Sequence, residues 1–120
     1  MEPKATELAR LVAAEVENFQ IPEPHPLQLG SPLSPEWFEA GLAEMRQALV
    51  PPFQLDAKDY DTAPDTVLTR TVWIVADDTN GTLLAYDPTS EGDFALVWRH
   101  PDQDALSNIR GDAVGCFLSR

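Results

Sequence analysis

The sequence predicts an α+β fold in which N-terminal helices pack on an antiparallel β-meander, with a C-terminal helix closing the chain. Two stretches before residue 50 repeat apolar residues at helical spacing. Residues 66–99 turn instead to β-branched and aromatic residues broken by two turn signals. The last eight residues return to helical spacing. A chain of 120 residues, 43% of them hydrophobic, has the size of one domain and apolar content enough for a core. We therefore expect a single α+β domain over residues 1–120.

In the first helix, residues 4–19, Leu8, Leu11, Val12, Val16 and Phe19 share one face, while Glu7, Glu15 and Glu17 are expected to be solvated. Pro22, Pro24 and Pro26 then alternate with other residues and favour an extended linker. A second helix starts where Ser34 caps the free amides and Pro35 takes the first helical position. Its stripe is Phe38, Leu42, Met45 and Leu49, with Trp37 at the margin, and it ends before Pro51 and Pro52.

Residues 53–66 read as a long acidic loop carrying Asp56, Asp59, Tyr60, Asp61 and Asp65, and a loop of that length points to function. A strand over 66–77 follows. Asn80-Gly81 is the strongest hairpin signal in the chain, since both residues tolerate positive φ. Residues 82–87 return as its partner, Asp87-Pro88 opens a second turn ending near Gly92, and 94–99 make a third strand. Residues 102–109 read as a short helical turn. Ala113, Val114, Phe117 and Leu118 predict a terminal helix, with a short strand as the alternative. Both faces of the meander are apolar: Val72, Ile74 and Ala76 oppose Trp73 and Val75, and Phe94, Leu96 and Trp98 oppose Ala95 and Val97. Helices cover one face. The other is either buried within the monomer or a contact surface.

The formal charge is −12, from 20 acidic and 8 basic side chains. Such a surface repels nucleic-acid phosphates and anionic membranes and attracts basic proteins. The bland alternative is that the charge serves only solubility. No apolar run is long enough to cross a bilayer, and Glu2, Lys4 and Glu7 stand where a secretory signal would be apolar, so a cytoplasmic location is expected.

Signs of chemistry are few. His25 and His100 each precede a proline, and no metal, nucleophile-elbow or phosphate-loop motif occurs. Cys116, beside Phe117 and Leu118, reads as a core residue. The run 77–81 lacks the spacing of a calcium loop and reads as a plain hairpin turn. Asp87, Glu91 and Asp93 read as solvated turn carboxylates rather than a glycosidase pair. We expect neither an enzyme nor a cofactor.

Residues 73–99, WIVADDTNGTLLAYDPTSEGDFALVWR, resemble the central region of the SUKH superfamily of bacterial immunity proteins, which have a Smi- or Knr-like fold. The elements that carry the resemblance are a strand, an acidic Gly-containing turn, a strand ending in the aromatic-Asp pair Tyr86-Asp87, Gly92, and a strand bearing aromatics. The ending GDAVGCFLSR is similar to the family's last helix, with Val114, Phe117 and Leu118 as anchors. The N-terminal half departs from the pattern, lacking the helix followed by Asn-Gly-Gly that many members carry. The resemblance implies an α+β fold and neutralisation of a cognate toxin by direct binding. Asp56, Asp59, Tyr60, Asp61, Asp77, Asp78, Glu91 and Asp93 are the expected partner-binding residues, the carboxylates meeting Lys or Arg of the toxin and Tyr60 anchoring. The competing reading is a type III secretion chaperone, a small acidic homodimer that wraps an extended effector segment.

Overall fold

A computed structural model describes residues 3–21, 34–63, 66–88, 93–101 and 103–120, the side chains of residues 3, 60–63, 66, 67 and 108 excepted. The elements run α1 (Pro3–Asn18), α2 (Pro35–Ala48), β1 (Leu49–Ala63), β2 (Thr66–Asp77), β3 (Thr82–Asp87), β4 (Asp93–Trp98), β5 (Ala105–Gly111) and α3 (Ala113–Leu118). This is the α+β arrangement expected: two N-terminal helices, a mainly antiparallel sheet and a C-terminal helix. The expected linker at Pro22, Pro24 and Pro26 lies outside the described residues.

The helices form for local reasons. Ser34 caps α2, its hydroxyl accepting the Trp37 N–H at 3.1 Å, with Pro35 at the first helical position. Leu8, Val12 and Val16 bury one stripe of α1, and Leu42, Met45 and Ala48 one stripe of α2. Leu11 falls off the α1 stripe and stays 50% exposed, against expectation. Glu15 also departs from its expected solvated state. Its carboxylate accepts the Val114 N–H at 2.6 Å, beside Asp112, which accepts from Gly115. One acid from each end of the chain thus caps α3, which has no partners of its own for its first amides.

Residues 53–66 are not a loop. β1 runs through them and pairs antiparallel with β2, from Leu49 opposite Ala76 to Ala63 opposite Thr66. The dense charge hid a period-2 pattern. Ala57 and Asp59 are buried, whereas Gln54 and Asp56 are exposed. The polar side chains find cross-strand partners on β2. The Thr71 hydroxyl donates to Asp56 at 2.6 Å, Lys58 donates to Thr69 at 2.6 Å, and Arg70 donates to Asp59 at 2.6 Å. Pro51 and Pro52 sit where the register shifts between Leu49 and Phe53, a place where strands tolerate the missing N–H. Residues 105–109, expected in a helical turn, belong to β5.

The meander therefore has five strands and closes into a barrel, β1-β2-β3-β4-β5. Each neighbouring pair is antiparallel, so with an odd number of strands β1 and β5 run the same way. Closure is accordingly parallel, Lys58 opposite Ala105 and Asp59 opposite Leu106. Following register partners from Asp59 leads through Leu106, Val97 and Leu83 to Asp77, next to Ala76, whose partner is Leu49. The walk returns to β1 well below its start, so the strands are strongly tilted, as closure requires.

Closure explains the two apolar faces. One lines the barrel: Ala57, Val72, Ile74, Leu83, Ala85, Ala95, Val97 and Leu106 form an interior cluster. The other, with Trp73, Val75, Leu84, Phe94 and Leu96, packs against the three helices. The second face is thus core within the monomer.

The barrel is closed at one end by charge. Asp59, Arg70, Asp87, Asp93 and Arg110 continue the inward-facing alternation, and the register brings them to the end where β1 meets β2 and β3 meets β4. Asp59 pairs with Arg70 at 2.6 Å, and Asp87, fully buried, with Arg110 at 2.9 Å. Asp93 lies directly opposite Asp87 in the ladder, so an arginine is needed to hold two acids together. Removing one partner strands a buried charge. Arg110→Met is expected to lower stability by roughly 3 kcal/mol, while the Asp87→Asn/Arg110→Met pair recovers much of the loss. Urea midpoints of both variants check this.

Candidate protein-binding surface

The expected partner-binding residues do not gather in one place. Asp59 and Asp93 stand at the charged end of the barrel, and Asp77 and Asp78 at the opposite end, on the β2–β3 turn. Asp56 is exposed on the outer face of β1. Tyr60 and Asp61 lie on β1 with side chains outside the described residues, and Glu91 is outside them altogether. Asp59, 5% exposed, is bound to Arg70 and cannot meet a partner without breaking that pair.

Asp78 is also committed. One oxygen accepts the N–H of Asn80 at 2.8 Å and of Thr82 at 3.1 Å, and Asp78 N–H donates to the Thr82 carbonyl at 3.1 Å. These bonds enclose a loop of Thr79, Asn80 and Gly81, not the two-residue Asn80-Gly81 turn expected. The positive φ values fall on Thr79 (58°) and Gly81 (95°). Glycine takes that conformation freely, but a β-branched threonine does so only under strain. Asp77 helps hold it there, its carboxylate accepting the Thr79 N–H at 2.8 Å.

Beside this turn lies a surface that the sequence reading missed. Along α2, Glu36, Trp37, Glu39, Ala40, Glu44 and Gln47 are exposed. Trp37 is 41% exposed, its ring edge-on to Phe38 at 5.0 Å. A depression of about 260 Å³ runs between α2 and α3, lined by Trp37, Ala40, Gly41, Glu44, Leu118 and Arg120. A second, also about 260 Å³, is lined by Glu44, Gln47, Ala48, Asp77, Asp78 and Thr79. Glu44 borders both. Gly41 permits the close approach of the two helices, because a Cβ there would collide with a terminal methyl of Leu118. The hint in the sequence was the spacing of Glu36, Glu39 and Glu44 around Trp37, which reads only as an ordinary solvated helix face until α3 is packed against it.

At the junction of the depressions sits Arg120. Its Nη2 lies 2.6 Å from Glu44 Oε1, its Nε 3.2 Å from Asp78 Oδ2, and its guanidinium 3.9 Å from the Phe117 ring centre. The described residues hold no group of three His, Cys, Asp or Glu side chains arranged to take a metal ion. Cys116 is buried, its thiol donating to the Phe94 carbonyl at 3.4 Å. Burial first, and then the negative charges of Asp112 and Glu15, push the thiol up from 9.0 to about 11.

Comparison of the chain with protein-family models, with curated proteins and with solved structures found no match. The surface must be read from its chemistry.

Two measurements test this geometry. Thr79→Asn, which accepts positive φ more readily, is expected to stabilise the protein by about 1 kcal/mol in thermal unfolding. Cys116 stays protonated over a range in which the unfolded chain has lost its proton. Stability is therefore full below pH 9.0 and declines as pH rises to about 11. Cys116→Ala should flatten that alkaline decline relative to wild type, and the wild-type thiol should resist alkylation at pH 8 unless the protein is unfolded.

Proposed function

We propose that this protein is an immunity-type inhibitor that captures a basic surface of a cognate bacterial toxin in the cytoplasm, acting by binding and not by catalysis. One observation carries the reading: among the described residues, two carboxylates of α2 stay without an ion-pair partner beside an exposed tryptophan. Among the described residues, six of the eight Lys and Arg side chains lie within 4.0 Å of a carboxylate. Glu36 and Glu39 have no such partner among the described residues and stand exposed on either side of Trp37. The net charge of the chain is −12. A field of one sign speeds capture of an oppositely charged protein, and speed matters when a single free toxin molecule is harmful.

The contact surface centres on α2, with Trp37 as the apolar anchor and Glu36, Glu39, Glu44 and Asp77 as its acidic surround, the arrangement typical of a binding hot spot. Asp59, bound to Arg70, serves the fold. The resemblance of residues 73–99 to SUKH immunity proteins supports the same class, and those residues build the end of β2 together with β3 and β4, part of the wall against which the helices pack.

The proposal expects a toxin domain encoded beside this chain's gene, and its test is co-expression with that domain. Wild type should restore growth, and the association rate should fall roughly tenfold or more between low and physiological salt. Trp37→Ala and Glu36→Gln/Glu39→Gln/Glu44→Gln should each reduce protection, the triple variant chiefly by slowing association. Undiminished protection by both variants, together with an association rate indifferent to salt, would overturn the proposal.

A further inference from the structure

We infer that the pocket now holding the Arg120 guanidinium is the receptor for an arginine side chain presented by the partner, and that Arg120 occupies it until displaced. The inference rests on the reading above of a basic protein partner. The pocket demonstrably suits a guanidinium, since it contains one, between Glu44 and Asp78 and over the Phe117 ring. A flat, delocalised cation matches two carboxylates and an aromatic face better than an ammonium does, so arginine is favoured over lysine.

Arg120 fits the pocket imperfectly. Its Nε is buried 3.2 Å from Asp78 Oδ2 yet makes no hydrogen bond, because the chain holds it out of line. A guanidinium arriving from outside is free of that restraint. Asp78 is fixed by the amides of Asn80 and Thr82, and Glu44 is 59% exposed and free to turn toward a newcomer. The groove supplies the approach. Trp37, Ala40, Gly41 and Leu118 offer an apolar floor that leads to Glu44, of a kind that takes the methylenes of an arginine while the head reaches the acids.

While Arg120 is seated, an incoming arginine meets a pocket open only part of the time, and its apparent affinity is lowered by that fraction. The Glu44 pair is partly exposed and Asp78 is nearly buried, so the hold on Arg120 sets an effect of at least roughly two- to fivefold.

Hexa-arginine and hexa-lysine serve as probes, titrated at low salt while the Trp37 indole and Glu44 amide signals are followed by NMR. Arg120→Gln should bind hexa-arginine at least roughly two- to fivefold more tightly than wild type, with shifts at Trp37 and Glu44, and Arg120→Lys should gain less. Glu44→Gln in the wild-type background should weaken binding, and wild type should prefer hexa-arginine to hexa-lysine. If Arg120→Gln binds no more tightly, or the shifts fall elsewhere, the pocket is not the receptor, although the basic-partner reading survives. If neither peptide binds wild type or variant at low salt, both are overturned.

Discussion

The short parallel pairing that joins β1 to β5 is the constraint from which the rest of the structure follows. It spans Lys58 and Asp59 against Ala105 and Leu106, with the Lys58 N–H also donating to the Asp104 carbonyl at 2.9 Å. Without it the meander is an open sheet with two unpaired edges and one uncovered apolar face. With it, Val72, Ile74, Leu83 and Val97 become an interior, and the helices need to cover only the outer face. The tilt that closure imposes also decides which inward side chains meet at the charged end, where strands distant in sequence bring Asp59, Arg70, Asp87, Asp93 and Arg110 together.

Closure governs the charge as well. An acidic chain that buried its carboxylates at random would be unstable, and this one buries Asp59 and Asp87 only where an arginine faces them. On α2 the carboxylates of Glu36 and Glu39 stay exposed on either side of Trp37.

The last helix links these features. α3 has six residues, too few to hold its shape alone, and is secured by Glu15 and Asp112 at its start, by Gly41 along its side, and by Arg120 just past its end. That anchoring forms the groove beside Trp37 and sets Arg120 between Glu44 and Asp78. The proposed contact surface therefore depends on contacts between residues far apart in the chain, such as Glu15 with Val114 and Glu44 with Arg120.

By itself the sequence determined what local forces decide. The stripes of Leu8, Val12 and Val16 and of Leu42 and Met45, the Ser34 cap with Pro35, the strands on either side of Gly81, and the terminal helix all follow from periodicity, caps and turns acting over a few residues. Negative charge in excess was equally plain. Tertiary structure alone decided that an acidic, proline-led segment is a strand, because Asp56, Lys58 and Asp59 gain partners only when Thr71, Thr69 and Arg70 lie alongside. It alone made residues 105–111 a strand, since they pair with β4 from Ala105 to Gly111 and with the edge of β1 at Ala105 and Leu106. It separated the acids that serve the fold from those that face outward, and set Trp37 and Arg120 side by side. In each case the physical cause is a contact between distant segments, which no pattern within either segment records.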